Sequence, residues 1–322
     1  MSNALMTDLV SIIIPTYNRS WGLRLATESV LAQTHQNYEL FIVDDCSTDD
    51  TPEVVKSFKD ERIIYYRQPV NVGMVRNWGE ALRLARSEYI IFLSDDDQLR
   101  PHFIANRLRR MAHDPSLIVV FSKYDIRDRE GNLVGTHNEN LNAEMTFDSM
   151  GLLRAALSRQ WFVGASMYRK VAVRKVWDLI AKDDLVLDLA LNVQLSVGEL
   201  GKGMYIAEND FLMVSHPGQN SQAKRAQVYR QASDTLERIL ADQGDSRYAP
   251  LIKREFASWQ MVWGRYMAAQ GKIADARPHF LRAAKTCPTL LPVWKQLAGS
   301  WLWPSRIVMS SRRQWASRLA SQ

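Results

Sequence analysis

Four short apolar runs punctuate the first hundred residues, and each is closed by polar or acidic positions. They are Leu9-Val-Ser-Ile-Ile-Ile-Pro15, Tyr38-Glu-Leu-Phe-Ile-Val43, Arg62 to Tyr66 and Tyr89-Ile-Ile-Phe-Leu93. Runs this short and this continuous read as strands buried on both faces. Between them lie helical patterns over about 20–33, 50–59 and 73–86, the last entered through Asn71 and Gly73. Strand–helix alternation of this kind predicts an α/β fold with a mostly parallel sheet covered by helices. Further on, Trp161-Phe-Val-Gly-Ala-Ser-Met-Tyr-Arg169 predicts another strand. A helix at about 170–181, a second helix beginning near Asp184, and a strand over Met204 to Val214 follow.

In a parallel sheet the carboxyl ends of the strands share one edge, where open α/β sheets bind ligands. Acids gather there: Asp44 and Asp45 after the second strand, and Asp95-Asp96-Asp97 after the fourth. Three adjacent carboxylates repel one another unless a cation or a basic group sits among them. Hard oxygen clusters suit Mg²⁺ or Mn²⁺; a solvated acidic turn is the competing reading. No G-x-G-x-x-G follows the first strand, which disfavours a dinucleotide-binding enzyme.

Five stretches carry a resemblance to a known family: Val10-Ser-Ile-Ile-Ile-Pro-Thr-Tyr-Asn18, Ser29-Val-Leu-Ala-Gln-Thr34, Val43-Asp-Asp-Cys-Ser-Thr-Asp49-Asp-Thr51, Asn71-Val-Gly73 with Arg76-Asn77, and Phe92-Leu-Ser-Asp-Asp-Asp97. In order and spacing they resemble family 2 glycosyltransferases over about residues 9–220. The resemblance implies the GT-A fold and a nucleotide-diphospho-sugar substrate. It places Pro15, Tyr17, Asn18, Asp44, Asp45, Arg76, Asn77, Asp95 and Asp96 around that substrate. Tyr17 offers a flat face to the base, with a plain surface tyrosine as the alternative. Asp45 would accept the N–H of a uracil ring. Asp44 also reads as a turn-capping carboxylate before Ser47. Arg76 sits early in a helix, where a cation opposes the macrodipole, so an anionic diphosphate or plain solvent exposure accounts for it.

By the same resemblance Asp95 touches the ribose and Asp96 ligates the metal, Mn²⁺ or Mg²⁺, with Asp97 beside it. Ser94 replaces the first acid of the usual Asp-x-Asp. His216, after the last strand, would contact phosphate or metal; a turn histidine before Pro217 is its plain alternative, and Ser215 stands where an arginine is usual. The family's general base falls on Asp188, although Leu187 replaces the customary glutamate and Gln194 an arginine. Asp183 and Asp184 are rival bases that also read as helix caps. The expected activity is inverting, non-processive transfer from a UDP-sugar to a carbohydrate or lipid-linked hydroxyl in bacterial surface-polysaccharide synthesis. A nucleotide-sugar-binding scaffold without turnover is the alternative.

Composition adds a boundary. The 322 residues carry a net charge of +6, but residues 222–322 hold 17 basic against 6 acidic side chains, leaving 24 against 29 in residues 1–221. The expected division is therefore a GT-A domain over 1–221 and a helical region over 222–322. Within the latter, Gly264, Gly271, Ala276, Phe280, Ala283 and Pro288 resemble one tetratricopeptide-like hairpin, at about 256–288. The segment 290–322 brings Trp294, Trp301, Trp303 and Trp315 together with Lys295, Arg306, Arg312, Arg313 and Arg318 and no acid. Such a segment suits an anionic membrane surface or packs as an ordinary helix; nucleic acid is not an expected partner. Two distant cysteines and no apolar run of ~18 residues lead to the expectation of a cytoplasmic protein peripheral to the inner face of the cell membrane.

Overall fold

A computed structural model describes residues 8–180, 185–216 and 224–302. The chain forms two compact units, the first through His216 and the second from Pro217.

In the first unit, β1 (Val10–Thr16), β2 (Tyr38–Asp44), β3 (Ile63–Arg67) and β4 (Tyr89–Phe92) alternate with α1 (Ser20–Leu31), α2 (Thr51–Ser57) and α3 (Met74–Leu84). The first, second and fourth strands are buried along their whole length, as continuous apolar runs require. Then come β5 (Gln98–Leu99), α4 (Phe103–His113), β6 (Leu117–Arg127), β7 (Leu133–His137), β8 (Met145–Phe147), α5 (Ser149–Leu157), β9 (Ser166–Arg169), α6 (Lys170–Ile180), α7 (Leu187–Val197) and β10 (Lys202–Val214). The described strands form one sheet in the order β3-β2-β1-β4-β9-β6-β10-β5, with β7 on β6 and β8 on β10. Pairing is parallel from β3 through β4 and again between β6 and β10. β9 runs against both of its neighbours, so β6 and β10 point the same way as β1 to β4. Their carboxyl ends therefore open on one edge.

The strand expected over 161–169 is shorter than its apolar run. Trp161, Val163 and Ala165 are buried but only Ser166–Arg169 pair. A side chain on Gly164 would meet the rings of Phe162 and Phe211, so the chain turns there without joining the ladder. β9 touches β4 through only two residue pairs, Tyr89 with Arg169 and Ile90 with Tyr168. Aromatic packing bridges the same place: Trp78 on Phe92 at 4.9 Å, Phe92 by Tyr168 at 6.1 Å, Tyr168 by Trp161 at 6.2 Å and Trp161 on Phe121 at 5.6 Å.

The second unit is helical: α8 (Arg225–Gln243), α9 (Ala249–Ala269), α10 (Ile273–Thr286) and α11 (Leu291–Leu302). α9 and α10 pack where Gly264 meets Phe280; a Cβ at position 264 would come within 2.6 Å of that ring. Residues 303–322, with Trp303, Arg306, Arg312, Arg313, Trp315 and Arg318, lie outside the described residues, as do Asp183 and Asp184. Among the described residues no helix is long and apolar enough to cross a membrane.

Candidate active site

Four strands that run the same way, β1, β2, β4 and β10, end at the acidic edge. Leu93 N–H donates to Ile13 at 2.9 Å, extending β4 along β1, and a tight turn from Ser94 to Asp97 follows. β10 ends at the same edge, where Val214 N–H donates to Asp97 Oδ1 at 2.9 Å. The next two residues deliver His216, whose Nε2 lies 2.9 Å from Asp96 Oδ2 across 120 positions of sequence. Its Nδ1 is buried and has no hydrogen-bond partner among the described residues.

The basic group that three adjacent acids require is Arg19. Its Nη1 donates to Asp95 Oδ1 at 3.1 Å and to Asp96 Oδ2 at 2.8 Å. Burial works against the guanidinium charge, but Asp95 and Asp96 outweigh it and lift Arg19 above its ordinary value. Burial pushes Asp95 up to about 6, with Arg19 opposing and Asp96 adding to the rise. Asp97 is raised well above the usual carboxylate range, again by burial first and by Asp96 second. α1 presses directly on this turn: a Cβ at Gly22 would fall 2.5 Å from the Asp95 carbonyl oxygen. Trp21 stands edge-on to His216 at 5.3 Å between ring centres, and the Arg129 guanidinium lies 4.0 Å over the Trp21 ring.

Asp44 and Asp45 are occupied differently. Asp44 accepts from Ser47 N–H at 2.8 Å and from the Tyr65 hydroxyl at 2.7 Å, with Arg67 Nε at 3.4 Å. It holds the turn after β2, the capping role weighed from the sequence. Asp45 accepts from Val72 N–H at 2.7 Å and Gly73 N–H at 3.0 Å, one on each oxygen. It thereby fixes the entry to α3, where Gly73 has φ 88°. An oxygen that already takes one backbone N–H retains a second lone pair for a base edge.

The other expected contacts separate into edge and interior. Tyr17, Asn18 and Arg76 are exposed. Asn18, at φ 54°, accepts Thr48 N–H at 2.7 Å through its side chain and so ties the β1 loop to the β2 loop. Pro15 lies buried in β1 opposite Val43. The Asn77 amide is buried and donates to the Val43 carbonyl at 2.7 Å, fastening α3 to β2.

Asp188 enters from the first turn of α7, a helix capped by Val186 without a side-chain bond. Its carboxylate has no hydrogen-bond partner among the described residues, and burial alone pushes it up to about 6. Its charge opposes the ionisation of Tyr124 on β6 and of Tyr168 on β9. A carboxylate in these surroundings is a proton acceptor with a raised basicity.

Asp96 and His216 converge on one point, where the carboxylate is a ligand suited to Mn²⁺ or Mg²⁺ and the imidazole stands beside it as a second donor. Among the described residues no group of three or more His, Cys, Asp or Glu is spaced to hold a metal unaided. The fit is therefore to an ion that completes its shell with phosphate oxygens and water. Asp97, expected beside Asp96 in that shell, turns one oxygen to Val214 instead. Arg19 and Trp21 escaped the sequence reading. The demand for a cation among the acids was the available signal for Arg19, but many basic residues could have met it.

The family model described as glycosyl transferase family 2 matches residues 11–177, just over half of the chain. The chain belongs to glycosyl transferase family 2. Among family 2 relatives, glycosyltransferase GlyA of Streptococcus pneumoniae is 24% identical over 65% of this chain and 29% of its own length. The putative colanic acid biosynthesis glycosyl transferase WcaA of Escherichia coli is 37% identical over 33% of this chain and 40% of its own. The E. coli UDP-Glc:alpha-D-GlcNAc-diphosphoundecaprenol beta-1,3-glucosyltransferase WfaP is 36% identical over 36% and 45%. These matches span less than half the length of each relative. The fold is shared with S. aureus TarS 1-349 in complex with UDP-GlcNAc, at a TM-score of 0.68, 14% identity, and coverage of 96% of this chain and 91% of that one. The mannosyltransferase PcManGT of Pyrobaculum calidifontis, in complex with GDP-Man and Mn2+, superposes with a TM-score of 0.57 at 18% identity, over 97% and 86% of the two chains. The GT-A fold expected from the motifs is thus the observed one.

Proposed function

We propose that this family 2 chain is a glycosyltransferase of bacterial surface-polysaccharide synthesis, moving one sugar per encounter from a UDP-sugar to a hydroxyl of a carbohydrate or lipid-linked acceptor. The observation that carries this reading is the meeting of Asp95, Asp96 and His216 at the strand edge, with the carboxylate of Asp188, on α7, unpartnered among the described residues. Asp96 and His216 hold Mn²⁺ or Mg²⁺, Asp95 meets the ribose, Tyr17 offers its exposed face to the base, and Arg76 is free to approach phosphate. When bound, the metal offsets charge on the departing diphosphate. Asp188 takes the proton of the acceptor hydroxyl, and that oxygen attacks the anomeric carbon from the side opposite the diphosphate, inverting its configuration. The names of WcaA and WfaP support the polysaccharide setting, and the TarS complex supports a uridine nucleotide.

The test is a screen of nucleotide-sugars with and without Mn²⁺, read by thermal shift and then by turnover, with the product's anomeric configuration assigned by NMR. A UDP-sugar that stabilises the protein by mass action and is turned over with inversion is the expected result. Binding without turnover on any acceptor or water would leave a scaffold; a retained configuration would reject direct displacement.

The second unit suits peripheral attachment to the inner face of an anionic membrane. Leu291, Trp294, Trp301 and Leu302 are exposed on α11, Leu291 at 76% and Trp301 at 65%, within a region that holds 17 basic against 6 acidic residues. Each basic group near such a surface contributes roughly 1 kcal/mol, less as salt rises. Co-sedimentation with anionic vesicles should be strong for the full chain and lost on truncation after Thr289; equal pelleting of both would refute it.

A further inference from the structure

Arg19 occupies the place where a cation is wanted. Its Nη1 lies 2.8 Å from Asp96 Oδ2, the same oxygen that His216 Nε2 approaches at 2.9 Å. A divalent ion binds a carboxylate oxygen at roughly 2.0–2.2 Å, so an ion on that oxygen and the guanidinium nitrogen would crowd each other as like charges. Among the described residues this guanidinium makes no other hydrogen bond or ion pair. Arg19 is the N-cap of α1 and makes no side-chain capping bond. A positive charge at a helix N-terminus has the wrong sign for the macrodipole, so the acids, and not the helix, keep it there. Its side chain is 25% exposed while those of Asp95 and Asp96 are 5% exposed, which leaves it a way out towards solvent. A planar group with five N–H donors is also well formed to hold phosphate oxygens.

We propose that Arg19 is an exchangeable counter-ion. It neutralises Asp95 and Asp96 while no nucleotide is bound, yields Asp96 to the divalent ion, and turns its guanidinium to the diphosphate that arrives with that ion. The exchange keeps the charge of the buried carboxylates compensated in both states, because removing a partner from a buried charge is costly. It also makes metal binding weak until the diphosphate offers Arg19 a new partner, so metal and nucleotide bind cooperatively. The inference rests on the reading that Asp96 and His216 hold a divalent ion.

The experiment is titration of the full chain with Mn²⁺, followed by calorimetry and by the electron paramagnetic resonance of free Mn²⁺, without nucleotide and with saturating UDP. Native protein should bind Mn²⁺ at least tenfold more tightly when UDP is present. Arg19→Met should bind Mn²⁺ at least tenfold more tightly than native without UDP, lose most of the UDP-linked gain, and melt lower than native in chelator but recover with Mn²⁺. Arg19→Lys keeps a charge without the planar fork; it should hold native-like Mn²⁺ affinity without UDP and bind UDP more weakly, and it serves if Arg19→Met does not fold. If native protein binds Mn²⁺ with UDP but Arg19→Met binds it no more tightly without UDP, or Arg19→Lys behaves as native throughout, the exchange is wrong and the proposed metal site survives. Failure of every form to bind Mn²⁺, with or without UDP, would overturn both.

Discussion

Two sets of carboxylates stand on one sheet edge and have opposite fates. Asp44 and Asp45, after β2, spend their oxygens on backbone N–H groups and a phenol, and so hold loops in place. Asp95 and Asp97, after β4, and Asp188, on α7, sit in surroundings that favour the protonated form. Residue type and place along a strand are the same in the first two cases. What differs is the surroundings: Asp44 takes Ser47 N–H from its own loop and Asp45 takes Val72 and Gly73 N–H from the loop after β3, whereas the tight turn after β4 is faced by Arg19 and His216. A motif acid is therefore structural or reactive according to the groups that the neighbouring loops bring to it.

The largest break in that contrast should come from Asp188→Asn, which keeps the shape and removes the base. Transfer should fall by ~10²–10⁴-fold with nucleotide-sugar binding unchanged in a direct binding assay. Stability should move the other way. The folded carboxyl titrates at about 6, above the ~3.9 of an unfolded aspartate. The folded state thus holds the proton more tightly, and stability falls as pH rises between the two values. Asp188→Asn should melt above native at pH 8 and level with it at pH 4, while native turnover rises through about pH 6. Tyr124 and Tyr168, whose ionisation the Asp188 charge opposes, stay neutral throughout, since both phenols are raised. Near-native turnover in this variant would move the base elsewhere.

On the structural side, Asp45→Ala strands two part-buried N–H donors and should destabilise by about 2 kcal/mol in urea, the low end of ~1–3 kcal/mol for each unsatisfied group. Asp96→Ala should differ in kind: little change in melting temperature, because Arg19 still pairs with Asp95, and loss of Mn²⁺-dependent UDP binding. If the two variants exchange phenotypes, the division is drawn between the wrong acids. The smallest effect belongs to Tyr65→Phe, which deletes one bond to Asp44 and should cost about 1.5 kcal/mol in urea, with turnover unaffected; a tenfold drop in turnover would give Asp44 a chemical role.

Much of this was legible in advance. Fully buried strands announce themselves as unbroken apolar runs, as β1, β2 and β4 do; β3 reads the same way but lies at the sheet's edge and is half-buried. β6, the central strand that faces β9 and β10, also carries such a run, Leu117-Ile-Val-Val-Phe121, and was missed for want of a motif nearby. The reversal of β9 could not be read, because strand direction leaves no trace in local periodicity. The need for a cation among the acids was legible but its identity was not: Arg19 reaches Asp95 across 76 positions, and only the packing of Gly22 on the acid turn brings α1 close enough. Nor does local sequence say that Asn77 is spent on the Val43 carbonyl, since that bond depends on where α3 lies against β2.

The four residues of β9 carry one more consequence, a mechanical one. Asp96 belongs to the slab formed by β1 to β4, and the Asp188 charge acts on residues of β6 and β9 on the other side of the join. Two ladder pairs and a row of aromatic rings fasten those slabs along the strands. Lys170 N–H fastens them again on the Glu88 carbonyl, and the Asp96–His216 and Asp97–Val214 contacts do so at the acidic edge. The join is therefore clamped at both of its ends, and the clamp at the acidic edge is made by the same side chains that a donor would engage.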